Sequence, residues 1–284
     1  MDELISVIVA TYNREDALDA VLRGLAHQSD RNFEVIVADD GSGPQTAQVI
    51  ASWSSRINVR LIHVRHEDRG FRLAEIRNRA IAASRGAICV FLDGDCIPRR
   101  KFIAAHRCLA ETGYFVAGNR ILISRDMTAR ILDERLHAEE WPLSTWIAAR
   151  LRGEINRITP IFRLSLGPLR KFNADRWQGA RGSNLAIRRE DLVRVDGFDA
   201  AFSGWGLEDS DIIIRLLRAG VRRKDGRFAT GVLHLWHPEN DRSKFADNQI
   251  KLRQIIESDR LQAGRGLSAL LPEQGSVGSR IVRL

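Results

Sequence analysis

The chain has 284 residues, of which 44% are hydrophobic and 28% are charged, and its formal net charge is +8. This composition is typical of a soluble globular protein with room for one large core or two small ones. No apolar run approaches the roughly 20 residues of a membrane span, and Met1-Asp2-Glu3 lacks the basic start of a signal peptide, so we expect neither.

Strand and helix patterns alternate through the first half of the chain. A continuous apolar run over 4–10 predicts a strand buried on both faces, and further strands are predicted over 33–38, 59–64 and 87–92. Helical spacing predicts helices between them, the first capped by Asn13 and the third ended by Gly86. The alternation predicts an α/β fold with a Rossmann-like, mainly parallel sheet flanked by helices.

Polar clusters follow three of these strands: Thr11-Tyr12-Asn13, Asp39-Asp40 and Asp93-Gly94-Asp95. Ligands bind beyond the carboxyl ends of parallel strands, so we expect the three clusters to meet at that edge. Two carboxylates one residue apart suit a hard cation such as Mg²⁺ or Mn²⁺, although a polar turn is the simpler alternative for the same residues. No glycine-rich phosphate loop is present, which argues against a dinucleotide enzyme or a P-loop NTPase.

The pattern changes after Gly118. Arg120 to Asn173 is predicted to be helical and basic, broken into short pieces by prolines 142, 160 and 168. Trp141 to Arg189 carries ten basic residues against two acidic ones, which equals the whole charge excess of the chain. Interleaved aromatic and aliphatic residues suit an anionic membrane surface; nucleic acid and a solvated basic surface are the alternatives.

A third section begins at Gly182-Ser183-Asn184. Glu208 and Asp209 open a helix that Gly220 ends, and a strand over 228–233 leads to two histidines, His234 and His237. The last twenty residues are rich in glycine and predict a loosely held tail.

The loop before this helix, Gly204-Trp205-Gly206, combines a flat ring with nearby carboxylates. An aromatic face and carboxylates together suit a pyranose, and a carboxylate in the first helical turn stays ionised, as a general base must. Acidic residues are common in any first turn, and the H-x-x-H spacing recurs at His63 and His66, so neither feature is specific alone.

Together these motifs resemble those of the GT-A glycosyltransferases of family two, with a C-terminal section similar to that of the β-1,4-galactosyltransferases and the bacterial chondroitin polymerase. The resemblance covers about residues 5–248. It rests on five ordered motifs: Val7 to Arg14, Val37 to Ser42, Arg69-Gly70-Phe71 with Arg77-Asn78, Asp93-Gly94-Asp95, and Trp205-Gly206-Leu207-Glu208-Asp209.

The resemblance implies a role for each matched residue. Asp209 is the implied catalytic base, with Glu208 as the second candidate. Asp95 and His237 are the implied ligands of Mn²⁺ or Mg²⁺, and His234 stands where the related enzymes place a methionine ligand. The implied substrate-binding residues are Thr11, Tyr12, Asn13, Arg14, Asp39, Asp40, Arg69, Arg77, Asn78, Asp93, Gly182, Ser183, Asn184 and Trp205.

We therefore expect an inverting glycosyltransferase that moves a hexose or N-acetylhexosamine from a UDP-sugar to a glycan or glycolipid acceptor. The setting we expect is bacterial surface polysaccharide or lipopolysaccharide synthesis. The absence of an apolar span argues against a processive synthase that threads its polymer through a membrane. A nucleotidyltransferase is the first alternative, although it would usually carry a glycine-rich turn where this chain has Thr11 to Arg14. A non-enzymatic membrane- or nucleic-acid-binding protein would explain the charge but not the carboxylate clusters.

The expected organisation has four parts: a nucleotide-sugar half (1–118), a basic helical insertion (119–181), an acceptor and metal-site half of the same GT-A domain (182–250), and a C-terminal helix and tail (251–284). Three cysteines without paired spacing fit a reducing compartment. We expect a cytoplasmic protein attached peripherally at the inner membrane, without a nucleic-acid partner.

Overall fold

The computed structural model describes residues 3–270 and has a seven-stranded sheet at its centre. The strands, in spatial order, are β3 (Leu61–Arg65), β2 (Phe33–Asp39), β1 (Ile5–Thr11), β4 (Ile88–Asp93), β8 (Asn184–Arg188), β6 (Tyr114–Ala117) and β9 (Arg222–Asp225). The first four run parallel, β8 is antiparallel to both of its neighbours, and β6 and β9 are parallel to each other. The prediction of a mainly parallel sheet is confirmed.

Helices cover both faces of this sheet. They are α1 (Glu15–Ala26), α2 (Pro44–Ser54), α3 (Leu73–Ala83), α4 (Phe102–Leu109), α5 (Arg125–Asp133), α6 (Leu143–Leu151), α7 (Arg189–Arg194), α8 (Glu208–Arg218) and α9 (Phe245–Glu257). Every residue of β1 and β2 is buried, because separate apolar clusters pack on the two faces of the sheet. Within residues 3–270, no helix is long and apolar enough to cross a membrane.

A second, three-stranded sheet joins the two halves of the chain. It contains β5 (Cys96–Pro98), β10 (Val232–His234) and β7 (Arg120–Leu122), with β10 in the middle. His234 pairs with Cys96 in the register of β10 and β5. Because Cys96 follows Asp95 directly, this pairing brings His234 to the residue that ends the Asp93-Gly94-Asp95 turn.

Two local sequence predictions are wrong. Asn13 does not cap α1; its backbone N–H donates to Ser42 Oγ (3.0 Å) and its Oδ1 accepts from the Gly43 N–H (2.9 Å), so it links the ends of β1 and β2. Gly86 does not end α3, which stops at Ala83. Gly86 is needed for close packing instead, because a Cβ there would lie 2.6 Å from the backbone nitrogen of Ser6.

The middle and C-terminal predictions need correction in part. The insertion is not helical throughout, since it contributes β7 and several 3₁₀ turns as well as α5 and α6. The strand predicted over 228–233 is only Val232–His234, because Phe228 adopts a left-handed backbone (φ 58°). The start of the predicted loose tail is held: the N–H groups of Gly264 and Arg265 donate to the Asp199 carboxylate. Residues 271–284 of that tail lie outside the described residues.

Candidate active site

A buried arginine joins carboxylates from distant parts of the chain. Arg77 lies on α3 with 2% of its side chain exposed. Its Nη2 donates to Asp93 Oδ1 (3.1 Å), and its Nη1 donates to Asp209 Oδ1 (2.9 Å) and Glu208 Oε1 (3.3 Å). A buried charge needs such partners, so Arg77 fixes the end of β4 against the start of α8.

The environments of the three carboxylates differ. Burial, followed by the adjacent Asp209 carboxylate, raises the pKa of Glu208 to about 8, so Glu208 is largely protonated at neutral pH. Asp93 retains 32% side-chain exposure, and the loss of water around it raises its pKa to about 6 against the opposing effect of Arg77. Glu208 is therefore suited to donate a hydrogen bond, whereas Asp209, with 22% of its side chain exposed, is the accessible carboxylate.

The loop before α8 has a left-handed backbone at several residues, and this conformation places Asp209 beside Arg77. Gly204, Gly206 and Leu207 all have positive φ (73°, 100° and 77°), and the helix starts at Glu208 without a side-chain cap. Asn248 on α9 stabilises the loop by donating to the carbonyls of Ser203 and Gly206 (3.1 and 3.0 Å). The two glycines permit this conformation at low cost, which explains their place in the motif.

A neighbouring loop orients the Asp209 carboxylate. The Gly182 N–H donates to Asp209 Oδ2 (2.8 Å), while Oδ1 accepts from Arg77. A Cβ at Gly182 would lie 2.5 Å from Arg77 Nη2 and 2.5 Å from Asp209 Oδ1, so the position requires glycine. Ser183 is buried behind it.

Asp95, His234 and His237 form a candidate metal site. A carboxylate oxygen and two ring nitrogens lie within 4.8 Å of one another. Asp95 Oδ1 is 3.7 Å from His234 Nε2, and Asp95 Oδ2 is 3.4 Å from His237 Nε2. This mixed set of oxygen and nitrogen donors fits a divalent cation such as Mn²⁺.

Both histidines present a ring nitrogen to a cation at this site. Burial lowers the pKa of His234 to about 4, although Asp95 opposes this, so its ring is neutral at physiological pH. His237 Nδ1 donates to the Pro238 carbonyl (2.6 Å), which leaves Nε2 as the lone-pair nitrogen facing Asp95. Burial raises the pKa of the Cys96 thiol well above its usual value, so the adjacent cysteine stays protonated and is a poor ligand.

The aspartates that follow β2 are paired with two histidines. Asp39 Oδ2 lies 2.8 Å from His63 Nε2, and Asp40 Oδ1 lies 2.6 Å from His66 Nε2. Burial acts to raise the pKa of Asp39, but hydrogen bonds from His63 and Ser42 outweigh it and hold the pKa below its usual value. Burial raises the pKa of Asp40 despite hydrogen bonds from the Arg72 N–H and His66.

These histidines were missed as partners of the aspartates. In the sequence, the spacing of His63 and His66 indicates no specific partner. The parallel pairing of β2 with β3 places His63 opposite Val37, two residues before Asp39. A prediction of this register would have indicated the contact between His63 and Asp39.

The turn after β1 faces the Asp93-Gly94-Asp95 turn. The Gly94 N–H donates to the Ala10 carbonyl (2.6 Å), and a Cβ at Gly94 would lie 3.1 Å from Thr11 Oγ1. Thr11 Oγ1 is buried and has no hydrogen-bond partner in the described part of the chain, so it is an unpaired donor beside the candidate metal site. Tyr12 is half exposed and donates to Asp68 Oδ2 (2.9 Å).

The structure gives other predicted substrate residues local roles. Both ends of the buried Asn78 amide bond to the Phe198 backbone, at 2.7 and 2.9 Å. The Asn184 amide donates to the carbonyls of Asn119 and Thr230, and its oxygen lies 3.1 Å from His106 Nε2. These buried amides bond to the backbone of other segments, and their contact with substrate stays a prediction.

The remaining predicted residues are at least partly exposed. Arg14 pairs with Asp16 (3.2 Å), and the exposed Arg69 pairs with Glu67 (2.6 Å). Trp205 packs against the Phe245 ring at a centroid distance of 5.6 Å, and the Arg242 guanidinium lies 4.9 Å from the Trp205 ring centroid. Trp205 is partly exposed beside the loop that presents Asp209.

Three arginines outside the recognised motifs add positive charge near the carboxylates. Arg181 precedes Gly182, Arg120 lies on β7 beside the strand of His234, and Arg157 Nε donates to the Arg120 carbonyl (3.2 Å). Within residues 3–270, none of the three forms an ion pair with a carboxylate, and Arg120 is near enough to lower the pKa of Asp93 against the effect of burial. In the sequence, the signal for this cluster is the basic composition of the insertion.

Comparisons with known proteins cover most of the chain. Residues 6–167 match the family model described as glycosyl transferase family 2, and residues 170–238 match the model described as N-terminal domain of galactosyltransferase. The chain is 30% identical over 237 residues to validoxylamine A glucosyltransferase of Streptomyces hygroscopicus subsp. limoneus, covering 81% of this chain and 51% of that protein. It is 29% identical over 232 residues to chondroitin synthase of Escherichia coli, covering 76% of this chain and 32% of that protein.

The chain thus spans about half the length, or less, of these curated relatives. Among solved structures, mannosyltransferase PcManGT from Pyrobaculum calidifontis, in complex with GDP-Man and Mn²⁺, is similar with a TM-score of 0.58 and 22% identity. That match covers 91% of this chain and 65% of the other. The similarity is one of fold, and it confirms the predicted GT-A architecture.

Proposed function

The chain belongs to glycosyl transferase family 2, and from this premise we propose that it transfers a hexose or N-acetylhexosamine from a nucleotide sugar to a hydroxyl group of a glycan or glycolipid. The proposal rests on the contacts of Arg77 with Asp93 and Asp209. These contacts hold Asp209, the candidate base, beside the turn that contains the candidate metal ligand Asp95. UDP is the expected nucleotide, given the galactosyltransferase-like section of the chain.

Asp95, His234 and His237 would hold the divalent cation. When bound, the cation neutralises negative charge on the diphosphate leaving group. Two imidazoles beside one carboxylate favour Mn²⁺ over Mg²⁺, which prefers oxygen ligands throughout. A structural neighbour contains Mn²⁺ together with its nucleotide sugar, which supports this assignment.

Asp209 is the proposed general base. Arg77 and the Gly182 N–H orient its carboxylate, and its partial exposure lets an acceptor hydroxyl approach. Asp209 accepts the hydroxyl proton while the oxygen attacks the anomeric carbon opposite the leaving nucleotide, so one displacement inverts the configuration. Glu208 is the weaker candidate, because its raised pKa keeps it protonated at neutral pH.

Thr11, Tyr12, Asp39 and Asp40 are proposed to bind the nucleotide. They lie at the ends of β1 and β2, on one side of Asp93, with Thr11 opposite Asp39 in the strand register. The buried and unpaired hydroxyl of Thr11 is available to a phosphate or ribose oxygen. The acceptor would approach from the other side, past Trp205 and Asp209.

The positive charge on that acceptor side supports an acceptor with a carboxylate or phosphate group. Arg181 directly precedes Gly182, whose N–H donates to Asp209, and Arg157 bonds to the carbonyl of Arg120 on β7. Because no carboxylate of the described chain pairs with them, their charges are free to meet an anionic substrate.

An anionic membrane surface is the proposed location of the acceptor. On α6, Leu143, Ile147 and Leu151 are exposed at helical spacing on one stripe, and Arg150 and Arg152 lie beside them. An exposed apolar stripe flanked by arginines suits peripheral binding to anionic lipid. We therefore propose action at the cytoplasmic face of the inner membrane, in bacterial surface polysaccharide or lipopolysaccharide synthesis.

A screen of nucleotide sugars tests the proposed function. Release of nucleotide is measured with Mn²⁺, then with EDTA, then with Mn²⁺ restored, and one class of donor should be turned over only when metal is present. Asp95→Ala should abolish this release, whereas Asp133→Ala, an exposed carboxylate at the end of α5, serves as the matched control. Absence of both turnover and calorimetric binding for every nucleotide sugar would contradict the proposal.

A further inference from the structure

A second cluster of metal-ligating side chains lies away from the candidate active site. His27 follows the last residue of α1, His137 precedes a 3₁₀ turn in the insertion, and Glu139 lies within that turn. The end of α1 lies near the start of β2, whereas Asp39 marks the opposite end of the same strand. The cluster is therefore at the edge of the sheet opposite to the candidate active site.

The three side chains converge on one point. Glu139 Oε1 lies 3.0 Å from His27 Nδ1 and 3.1 Å from His137 Nδ1, and the two imidazole centroids are 5.1 Å apart. Zinc–ligand bonds of about 2.0–2.2 Å in tetrahedral geometry separate neighbouring ligand atoms by about 3.3 Å. The observed separations are close to that value.

The carboxylate at the centre of the cluster is incompletely satisfied. The Glu139 side chain has no exposed surface, and its Oε2 has no hydrogen-bond partner among residues 3–270. Burying a carboxylate oxygen without a partner is costly unless it is neutralised or coordinates a cation. Both histidines contact Oε1, so Oε2 is available to coordinate a cation.

The backbone around the cluster is held in place by contacts outside it. Arg23 on α1 donates to the carbonyls of Arg135 and Leu136 (3.1 and 3.2 Å), immediately before His137. Arg135 donates to Asp19 Oδ2 on the same helix (2.9 Å). These contacts fix the insertion against α1, so the ligand geometry does not depend on the imidazoles alone.

We propose that His27, His137 and Glu139 bind a divalent transition-metal ion of the zinc class. Imidazole and carboxylate donors suit Zn²⁺, and the partial exposure of the two rings (38% and 51%) leaves room for water at the remaining position. The bound ion would connect the insertion to the nucleotide-binding half, and it takes no part in sugar transfer.

The test uses Zn²⁺ and Co²⁺ as probes. It is made in a His237→Ala variant, in which the candidate metal site at Asp95 is weakened. Equilibrium dialysis should find about one Zn²⁺ per chain, Co²⁺ should give the visible absorption of a four-coordinate site, and Zn²⁺ should raise the thermal midpoint. Adding His27→Asn and His137→Asn should abolish all three effects. Asparagine keeps an N–H donor near the position of each Nδ1 atom, so the metal-free variant should still bond Glu139 Oε1 and fold with nearly the same midpoint.

Metal binding that is the same with and without the two asparagine substitutions would overturn the proposal, as would the absence of any binding in the His237→Ala background. In that case the cluster is a pair of histidine–glutamate hydrogen bonds. If the double variant does not fold, the His27→Asn variant alone tests the proposal. It should bind Zn²⁺ at least about tenfold more weakly. In an otherwise unaltered chain, His27→Asn should leave nucleotide-sugar turnover unchanged.

Discussion

Replacing Arg77 by methionine should destabilise the protein far more than the same change at Arg79. Arg77 is 2% exposed and contacts three carboxylates at 2.9–3.3 Å. Removing one partner of a buried ion pair costs about 3–5 kcal/mol. Arg79 lies on the same helix, is 40% exposed and pairs only with Glu75, so its loss should cost about 0.3–0.5 kcal/mol.

The loss at Arg77 should also depend on pH. Burial raises the pKa of Asp93 from 3.8 to about 6 and that of Glu208 from 4.5 to about 8. A carboxyl with a raised pKa in the folded state contributes stability that is fully present below its unfolded pKa and is lost as pH rises through the folded value. Without Arg77 both pKa values rise further, so the Arg77→Met protein should lose more stability at pH 8.5 than at pH 5.5.

Urea unfolding at these two pH values provides the measurement. With an m-value of about 3 kcal/mol/M, Arg77→Met should lower the midpoint by about 1 M or more at pH 8.5, and by less at pH 5.5. Arg79→Met should move it by about 0.2 M or less at both. Equal shifts for the two variants, or an Arg77→Met shift that does not change with pH, would refute the account of a buried arginine compensating these carboxylates.

Three further predictions concern the candidate metal ligand Asp95, the loop at Gly182 and the exposed apolar stripe on α6. Asp95→Ala should reduce Mn²⁺-dependent nucleotide binding in calorimetry far more than Asp93→Ala, and equal losses would argue against Asp95 as the direct ligand. Gly182→Ala should lower stability by about 1–3 kcal/mol, because its Cβ would lie 2.5 Å from two charged atoms; an unchanged thermal midpoint would show that the loop can move aside. Replacing Ile147 and Leu151 by serine should weaken sedimentation with anionic vesicles while turnover of a soluble acceptor persists, and unchanged sedimentation would leave this stripe as ordinary surface.

The part of the site that depends on strand order could be predicted from the sequence. Apolar runs that end in Thr11, Asp39 and Asp93 predict parallel strands whose polar ends meet, and the register pairs Thr11 with Asp39 and Ala10 with Asp93. The antiparallel β8 was not predicted, because its apolar run, Leu185 to Ile187, is only three residues long, although α7 follows the strand directly.

Contacts between distant segments could not be predicted. Arg77 and Asn78 are adjacent in one motif, but successive helical residues point in different directions, so Arg77 faces the carboxylates while Asn78 bonds to Phe198. The partners of Arg77 include Asp209, which is 132 residues away in sequence. Only the tertiary fold, which places the start of α8 within hydrogen-bonding distance of the Arg77 side chain, brings them together.

Sugar transfer by the Asp209→Asn variant tests the central claim most directly. The donor identified by the screen is supplied with Mn²⁺ and an acceptor, and transfer and nucleotide binding are measured on the same preparation. A positioned general base contributes about 10²–10⁴-fold to the rate, so transfer should fall by about that factor while nucleotide affinity stays within about twofold. Transfer at the wild-type rate would contradict the assignment of Asp209 as the base.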